Sequence, residues 1–150
     1  MASELDLRDP NLSPESKQKW INQSGLLAQI FAMEFPFDLS IFALWTFREG
    51  LEENMPSNIS IDTGVEAACW WFIYAADKLW ACVKKCQEYE NRRGMGGGGY
   101  YTKEWKGYNP ERWAVWEQSL SQALNTSQNE GTKKLIQAAL DRIKRVMPKE

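Results

Sequence analysis

Residues 62–86 read DTGVEAACWWFIYAADKLWACVKKC, and their periodicity decides the fold class. Val65, Cys69, Phe72, Ala76, Leu79, Val83 and Cys86 recur at spacings of 4, 3, 4, 3, 4 and 3. A helix gathers such positions on one side, whereas a strand scatters them over both faces. Trp71, Ile73, Ala75 and Trp80 widen the stripe, so this helix is expected inside a bundle, covered from several directions. Asp62 reads as its N-cap. Arg92-Arg93-Gly94 reads as its stop, with cations in the last turn and glycine beyond.

Working outward, Ser13-Pro14-Glu15 gives a cap, an N1 proline and a first-turn acid. Trp20, Leu27, Ile30, Phe31 and Phe35 then form a helical stripe, which Pro36 closes. Asp38 or Ser40 opens a second helix through about Glu53, with Phe37, Ile41, Leu44 and Leu51 on one face. Asn109-Pro110-Glu111 opens another, carrying Trp113, Trp116, Leu120, Ala123 and Leu124. Ser127-Gln128-Asn129-Glu130 matches a capping box and opens the last, with Leu135, Ile136, Ala139, Leu140, Ile143, Val146 and Met147 before Pro148. No stretch alternates as a strand does. The expected architecture is an all-α, single-domain bundle of about five helices over 13–150. A loose acidic arm at 1–12 precedes it, and one long Gly/aromatic loop at about 93–109 interrupts it.

The bulk numbers fit one globular domain: 150 residues, 43% apolar and 25% charged. Tryptophan is in excess, with eight residues, and each indole brings an N–H that seeks a partner. Trp45, Trp71, Trp80, Trp113 and Trp116 are the expected structural anchors. The net charge of −2 divides into −7 over residues 1–66 and +5 over 67–150, a polarity that the fold itself can absorb. Three cysteines leave at least one unpaired. The start, MASELDLRDPN, is acidic and polar and lacks the pattern of a secretory leader. No apolar run reaches the ~18 residues of a membrane span. These features give the expectation of a cytoplasmic or nuclear protein without membrane contact.

The chain has no histidine, which excludes Ser-His-Asp and Cys-His nucleophile systems and histidine zinc sites within one chain. Cys69, Cys82 and Cys86 do not complete a metal site, and no CxxC is present, so neither metal nor cofactor is expected. Gly94-Met95-Gly96-Gly97-Gly98-Gly99 formally fits GxGxxG. It follows a helix C-terminus, where the dipole repels anions, and reads as slack that lets the chain turn back. Arg92, Arg93, Lys103, Lys106 and Arg112 alternate with Tyr100, Tyr101, Trp105 and Tyr108. Single-stranded nucleic acid sites combine the same residue types, but Glu104 and Glu111 dilute the field, and the overall charge argues against nucleic acid. Asp77 lies beside the heptad seam and is the most interesting carboxylate. A desolvated position would raise its pKa; an outer-edge position would leave it structural.

Three blocks resemble a family of uncharacterised fungal proteins: FDLSIFALWTFREGLEE (37–53), AACWWFIYAADKLW (67–80) and WKGYNPERWAVWEQSL (105–120). The matching positions are Ala43, Trp45, Arg48, Trp71, Tyr74, Ala75, Glu111, Arg112, Trp113 and Trp116, within a likeness over about 36–147. Ala76 departs from the glycine of that pattern, and Pro110 from its leucine start. The resemblance implies an all-helical fold and a fungal origin, without an assigned reaction. It also implies a place for such proteins beside genes of specialised metabolism.

Two functions follow as expectations. The first is a non-catalytic helical module that binds a protein partner or an apolar small molecule, as a monomer or dimer. Its contacts would be Tyr100, Tyr101, Trp105, Tyr108 and Arg112. The alternative is a small cofactor-free enzyme or accessory protein of fungal specialised metabolism, of isomerase or cyclase type, in which Asp77, Tyr74 or Arg112 moves or stabilises charge. The second requires a cavity that Asp77 or Arg112 enters.

Overall fold

A computed structural model describes residues 13–33, 38–52 and 62–147. The expected arm at 1–12, the stop at Phe35-Pro36 and the turn at 54–58 lie outside these residues. Five α-helices follow one another: α1 (Pro14–Ala32), α2 (Ser40–Phe47), α3 (Asp62–Lys84), α4 (Pro110–Thr126) and α5 (Glu130–Val146). α2 continues into a π-helical turn, Arg48–Glu52. The described residues contain no sheet; Glu88 and Gly107 form one isolated antiparallel bridge.

The heptad seam makes α3 the hub. Val65, Cys69, Phe72, Ala76, Leu79 and Val83 are each no more than 2% exposed, and α1, α2 with its π turn, α4 and α5 all pack on this helix. Phe72 stacks on Phe47 at 4.6 Å and meets Trp113 edge-on at 5.5 Å. Burying a ring of this kind stabilises by about 1.5–3 kcal/mol. Ala75 departs from helical geometry (φ −136°, ψ 24°), so α3 bends midway while its seam stays buried on both sides of the bend.

Local chemistry sets the helix ends. Ser13 Oγ accepts from Ser16 N at 3.1 Å and Pro14 occupies N1. Asn109 Oδ1 accepts from Arg112 N at 2.8 Å, again with proline following. At α2 the cap position falls on Leu39, while Asp38 Oδ1 accepts from Ser40 N at 2.9 Å. The capping box expected from Ser127 does not form. Asn129 caps α5, accepting from Thr132 N at 3.0 Å, and Ser127 closes α4 instead.

The largest departure is the end of α3. It stops at Lys84 rather than near Arg92-Arg93. Cys86 N–H donates to the Val83 carbonyl and Gln87 N–H to the Cys82 carbonyl, both at 3.0 Å, with Cys86 at φ 49°. This is the Schellman closure, with cysteine at the left-handed position where glycine is usual. The substitution hides the stop from a reader of the sequence and leaves Cys86 exposed, outside the seam. The long loop therefore begins at 85, not 93. Its two ends are pinned together by Tyr108 N donating to Gln87 O (2.8 Å) and Tyr89 N to Lys106 O (2.9 Å).

Candidate functional site

The π turn at the end of α2 directs a carboxylate into the protein. Glu52 is 1% exposed, and it meets Arg112, fully buried on the first turn of α4. Arg112 Nε donates to Glu52 Oε2 at 2.7 Å and Nη2 to Oε1 at 2.9 Å, a two-pronged pair. The remaining donors reach backbone carbonyls: Nη1 to Gly94 (2.5 Å) and Gly107 (2.9 Å), Nη2 to Met95 (2.8 Å). All five guanidinium N–H groups are thus used. Glu52 is equally committed. Its Oε1 also accepts from Gly97 N (2.8 Å) and its Oε2 from Trp116 Nε1 (2.6 Å). The Arg112 guanidinium carbon lies 5.0 Å from the Trp105 ring centre, and Trp105 Nε1 donates to Glu111 at 2.8 Å.

This arrangement overturns the reading of the glycine string as slack. Gly94, Gly96 and Gly97 are buried. A Cβ on Gly94 would lie 1.9 Å from the Lys106 carbonyl oxygen, and one on Gly97 would lie 2.8 Å from Glu52 Cβ. The absence of side chains lets the backbone close around the ion pair, so the loop is packed rather than loose. Chemically, the centre has no free donor on the guanidinium and no free acceptor on the carboxylate. It cross-links the π turn, the 94–107 loop and α4.

The contact residues expected from the sequence divide accordingly. Tyr108 is 1% exposed and donates its hydroxyl to Ser40 O at 2.7 Å; full burial raises its pKa well above the ordinary phenol value. Trp105 and Arg112 face inward as described. Tyr100 is half-buried and stacks on Trp105 at 5.5 Å, and Tyr101 is 65% exposed. Nor do Asp77, Tyr74 and Arg112 converge. Asp77 is exposed on α3, Tyr74 is exposed and stacks on Trp70 at 5.6 Å, and every Arg112 donor is used elsewhere. Of the anchors, Trp71, Trp113 and Trp116 are buried, and Trp45 and Trp80 are half-buried. Trp45 Nε1 donates to Arg93 O at 3.1 Å, whereas Trp71 and Trp113 bury their N–H groups among other rings without a hydrogen-bond acceptor.

Glu52 escapes the sequence reading, although a signal was present. Leu44, Arg48 and Glu52 are spaced by four, which places two charges on the apolar face of α2. Carboxylates seldom occupy such a face unless a cation meets them.

Open space lies on the other side of the hub. A groove of about 480 Å³ runs between α1, α3 and α5. Asn22, Gly25, Leu26 and Gln29 form its α1 wall, the stacked Trp70 and Tyr74 its floor, and Gly131 and Leu135 its α5 edge. The Trp70 ring lies against α1 at Gly25, where an added Cβ would make an ordinary contact of 3.7 Å with Trp70 Cγ. Glu66, the one carboxylate in the lining, accepts from Thr132 Oγ1 at 2.7 Å.

Among the described residues, no group of three His, Cys, Asp or Glu side chains is placed to hold a metal ion, and no helix is long and apolar enough to cross a membrane. No curated protein and no solved structure is significantly similar to the chain. Residues 3–120, a span that holds Glu52, the glycine loop and Arg112, match the model of a protein family of unknown function, DUF3632. With well over half of its length in that match, the chain belongs to the DUF3632 family, whose function is unknown.

Proposed function

We propose that this protein is a non-catalytic helical module that binds a partner protein through the groove between α1, α3 and α5. The observation that carries the reading is the composition of the groove. It offers an exposed Leu26 (59%) and the stacked Trp70 and Tyr74, and its one carboxylate is already tied to Thr132. Apolar and aromatic anchors beside carboxamides are the usual vocabulary of a helix-binding groove. A groove partly open to solvent fits a peptide segment better than a small molecule, which is ordinarily enclosed over most of its surface. The 93–109 loop is a weaker contact surface, because its Trp105, Tyr108 and Arg112 are committed internally.

Quantitative affinity capture from the source cells tests this. The bait proteins are the unaltered chain, a groove variant (Leu26→Ser with Tyr74→Ala) and a loop variant (Tyr101→Ala). Loss of the same partners from the groove variant alone is expected. Equal recovery by the groove variant, or loss from the loop variant, would overturn the assignment. Saturable quenching of Trp70 by a small apolar metabolite, with no partner lost from the groove variant, would replace the protein by that ligand.

A further inference from the structure

Resting on this groove reading, we infer that the partner segment carries an arginine, seated in a cation subsite made by Glu66, Trp70 and Tyr74. These three residues follow one another at spacings of four on α3, and all line the groove. The Trp70 and Tyr74 rings stack at 5.6 Å with 17° between their planes, and Tyr74 is 38% exposed. The groove therefore presents a carboxylate one helical turn from an aromatic stack.

The charge selects the occupant. Glu66 is half-buried, and no lysine or arginine is among the lining residues. Nor does any lysine or arginine among the described residues form an ion pair with it. Its Oε1 accepts from Thr132 Oγ1 at 2.7 Å, but that donor is neutral and leaves the charge uncompensated. A carboxylate held partly out of water selects a cationic partner over a neutral or acidic one. The interior of the same chain shows what completes such a pairing. There Glu52 takes two N–H groups of Arg112, while the Trp105 and Trp116 ring centres lie 5.0 and 5.9 Å from the guanidinium carbon. The groove offers the carboxylate and the indole of that arrangement and leaves the guanidinium to the partner. Arginine suits it better than lysine, because its planar head pairs side-on with a carboxylate and also stacks on a ring. The Gln29 carboxamide of the α1 wall offers an acceptor to a remaining N–H, and Leu26 and Leu135 offer apolar surface to the methylene stem.

Selection of a random peptide library on the full chain, followed by fluorescence anisotropy with the selected peptides, tests the inference. The expected binders carry an arginine at one fixed position among apolar residues. Replacing it by citrulline, which keeps the shape and removes the charge, is expected to weaken binding at least about tenfold. Glu66→Gln, which keeps an acceptor for Thr132, should weaken the arginine peptide as much and leave the citrulline peptide nearly unaffected, since both changes remove the same contact. Circular dichroism establishes that Glu66→Gln keeps the helical fold, and the citrulline comparison needs no variant at all. Binders without arginine overturn the inference. So do citrulline or lysine peptides that bind as tightly as the arginine peptide, or a Glu66→Gln chain that binds it unchanged. The groove variant (Leu26→Ser with Tyr74→Ala) separates this from the groove reading. Peptides that the groove variant loses, but that ignore citrulline and Glu66→Gln, overturn the arginine subsite alone. Peptides that the groove variant retains, or a library that yields no binder, overturn the groove reading with it.

Discussion

Arg112 offers the sharpest test of how this fold is held. Consider three variants: Arg112→Met, Glu52→Leu, and both together. Removing one partner of a buried ion pair costs about 3–5 kcal/mol, because the other charge stays buried without compensation. Against a total stability of about 5–15 kcal/mol for an ordinary domain, that is a large share. For a chain of this size it lowers the melting temperature by roughly 6–20 °C. The double variant separates two explanations. An isolated buried pair can often be replaced by apolar residues of similar volume with little or no loss. Here the pair also serves five other groups: the carbonyls of Gly94, Met95 and Gly107, the Gly97 N–H and the Trp116 indole N–H. Each polar group left buried and unpaired costs about 1–3 kcal/mol. The double variant should therefore stay at least about 3 kcal/mol below the unaltered protein, even after some of the groups find water. Urea unfolding followed by circular dichroism and Trp fluorescence measures this. A double variant within about 1 kcal/mol of the unaltered chain would show that the ion pair is independent of the loop, and the cross-link argument would be wrong.

Three further outcomes are expected. Gly94→Ala and Gly97→Ala should each destabilise by at least about 1–3 kcal/mol in urea titration, since the added carbon meets backbone or Glu52, whereas Gly98→Ala, at an exposed position, should stay within about 0.5 kcal/mol. Partial burial raises the Asp38 pKa, but hydrogen bonds from the Ser40 side chain and backbone and from Gln87, with the nearby Lys85 charge, outweigh it and hold the carboxyl below 3.8. Its stabilisation is then present above 3.8 and is lost as pH falls through the lower folded value, so Asp38→Asn should flatten the acid limb of a stability–pH curve below about pH 4. Burial raises the Cys69 thiol strongly and the Cys82 thiol to about 11, so at pH 8 a thiol reagent should label Cys86 fast and the other two only after denaturation, as peptide mass spectrometry would show.

What the sequence discloses follows from how locally each feature is encoded. The α3 seam repeats every turn, and the Ser13 and Asn109 caps act within three residues of themselves, so these are legible without a structure. The end of α3 is not legible, because a cysteine takes the left-handed position and its stop depends on bridging to residues 106–108. The glycine string shows the same limit from the other side. Composition suggests freedom, yet close packing against Glu52, itself 45 residues from Gly97 in sequence, removes it.

The same distinction explains why the expected contact residues and the open groove lie in different places. Basic and aromatic side chains around the loop suggest a binding surface when counted along the chain. Folding turns Arg112 toward Glu52 and leaves Arg92, Arg93, Lys103 and Lys106 exposed, because a buried carboxylate beside three unpaired carbonyls requires a guanidinium more than a surface does. Arg112 is the residue whose five donors match that demand, and the Trp105 and Trp116 rings flank its guanidinium. The face left open is the one whose residues have nothing comparable to satisfy. Leu26 and Met33 have no polar side-chain group that needs pairing, and Asn22 Oδ1 already accepts from Gln18 Nε2 at 2.9 Å. Such a face can stay exposed without penalty to the fold and still release water when a partner surface covers it. The polar demand of the interior thus fixes one side of α3, and the apolar side chains of the open groove, beside the single carboxylate of Glu66, are where free energy for association remains.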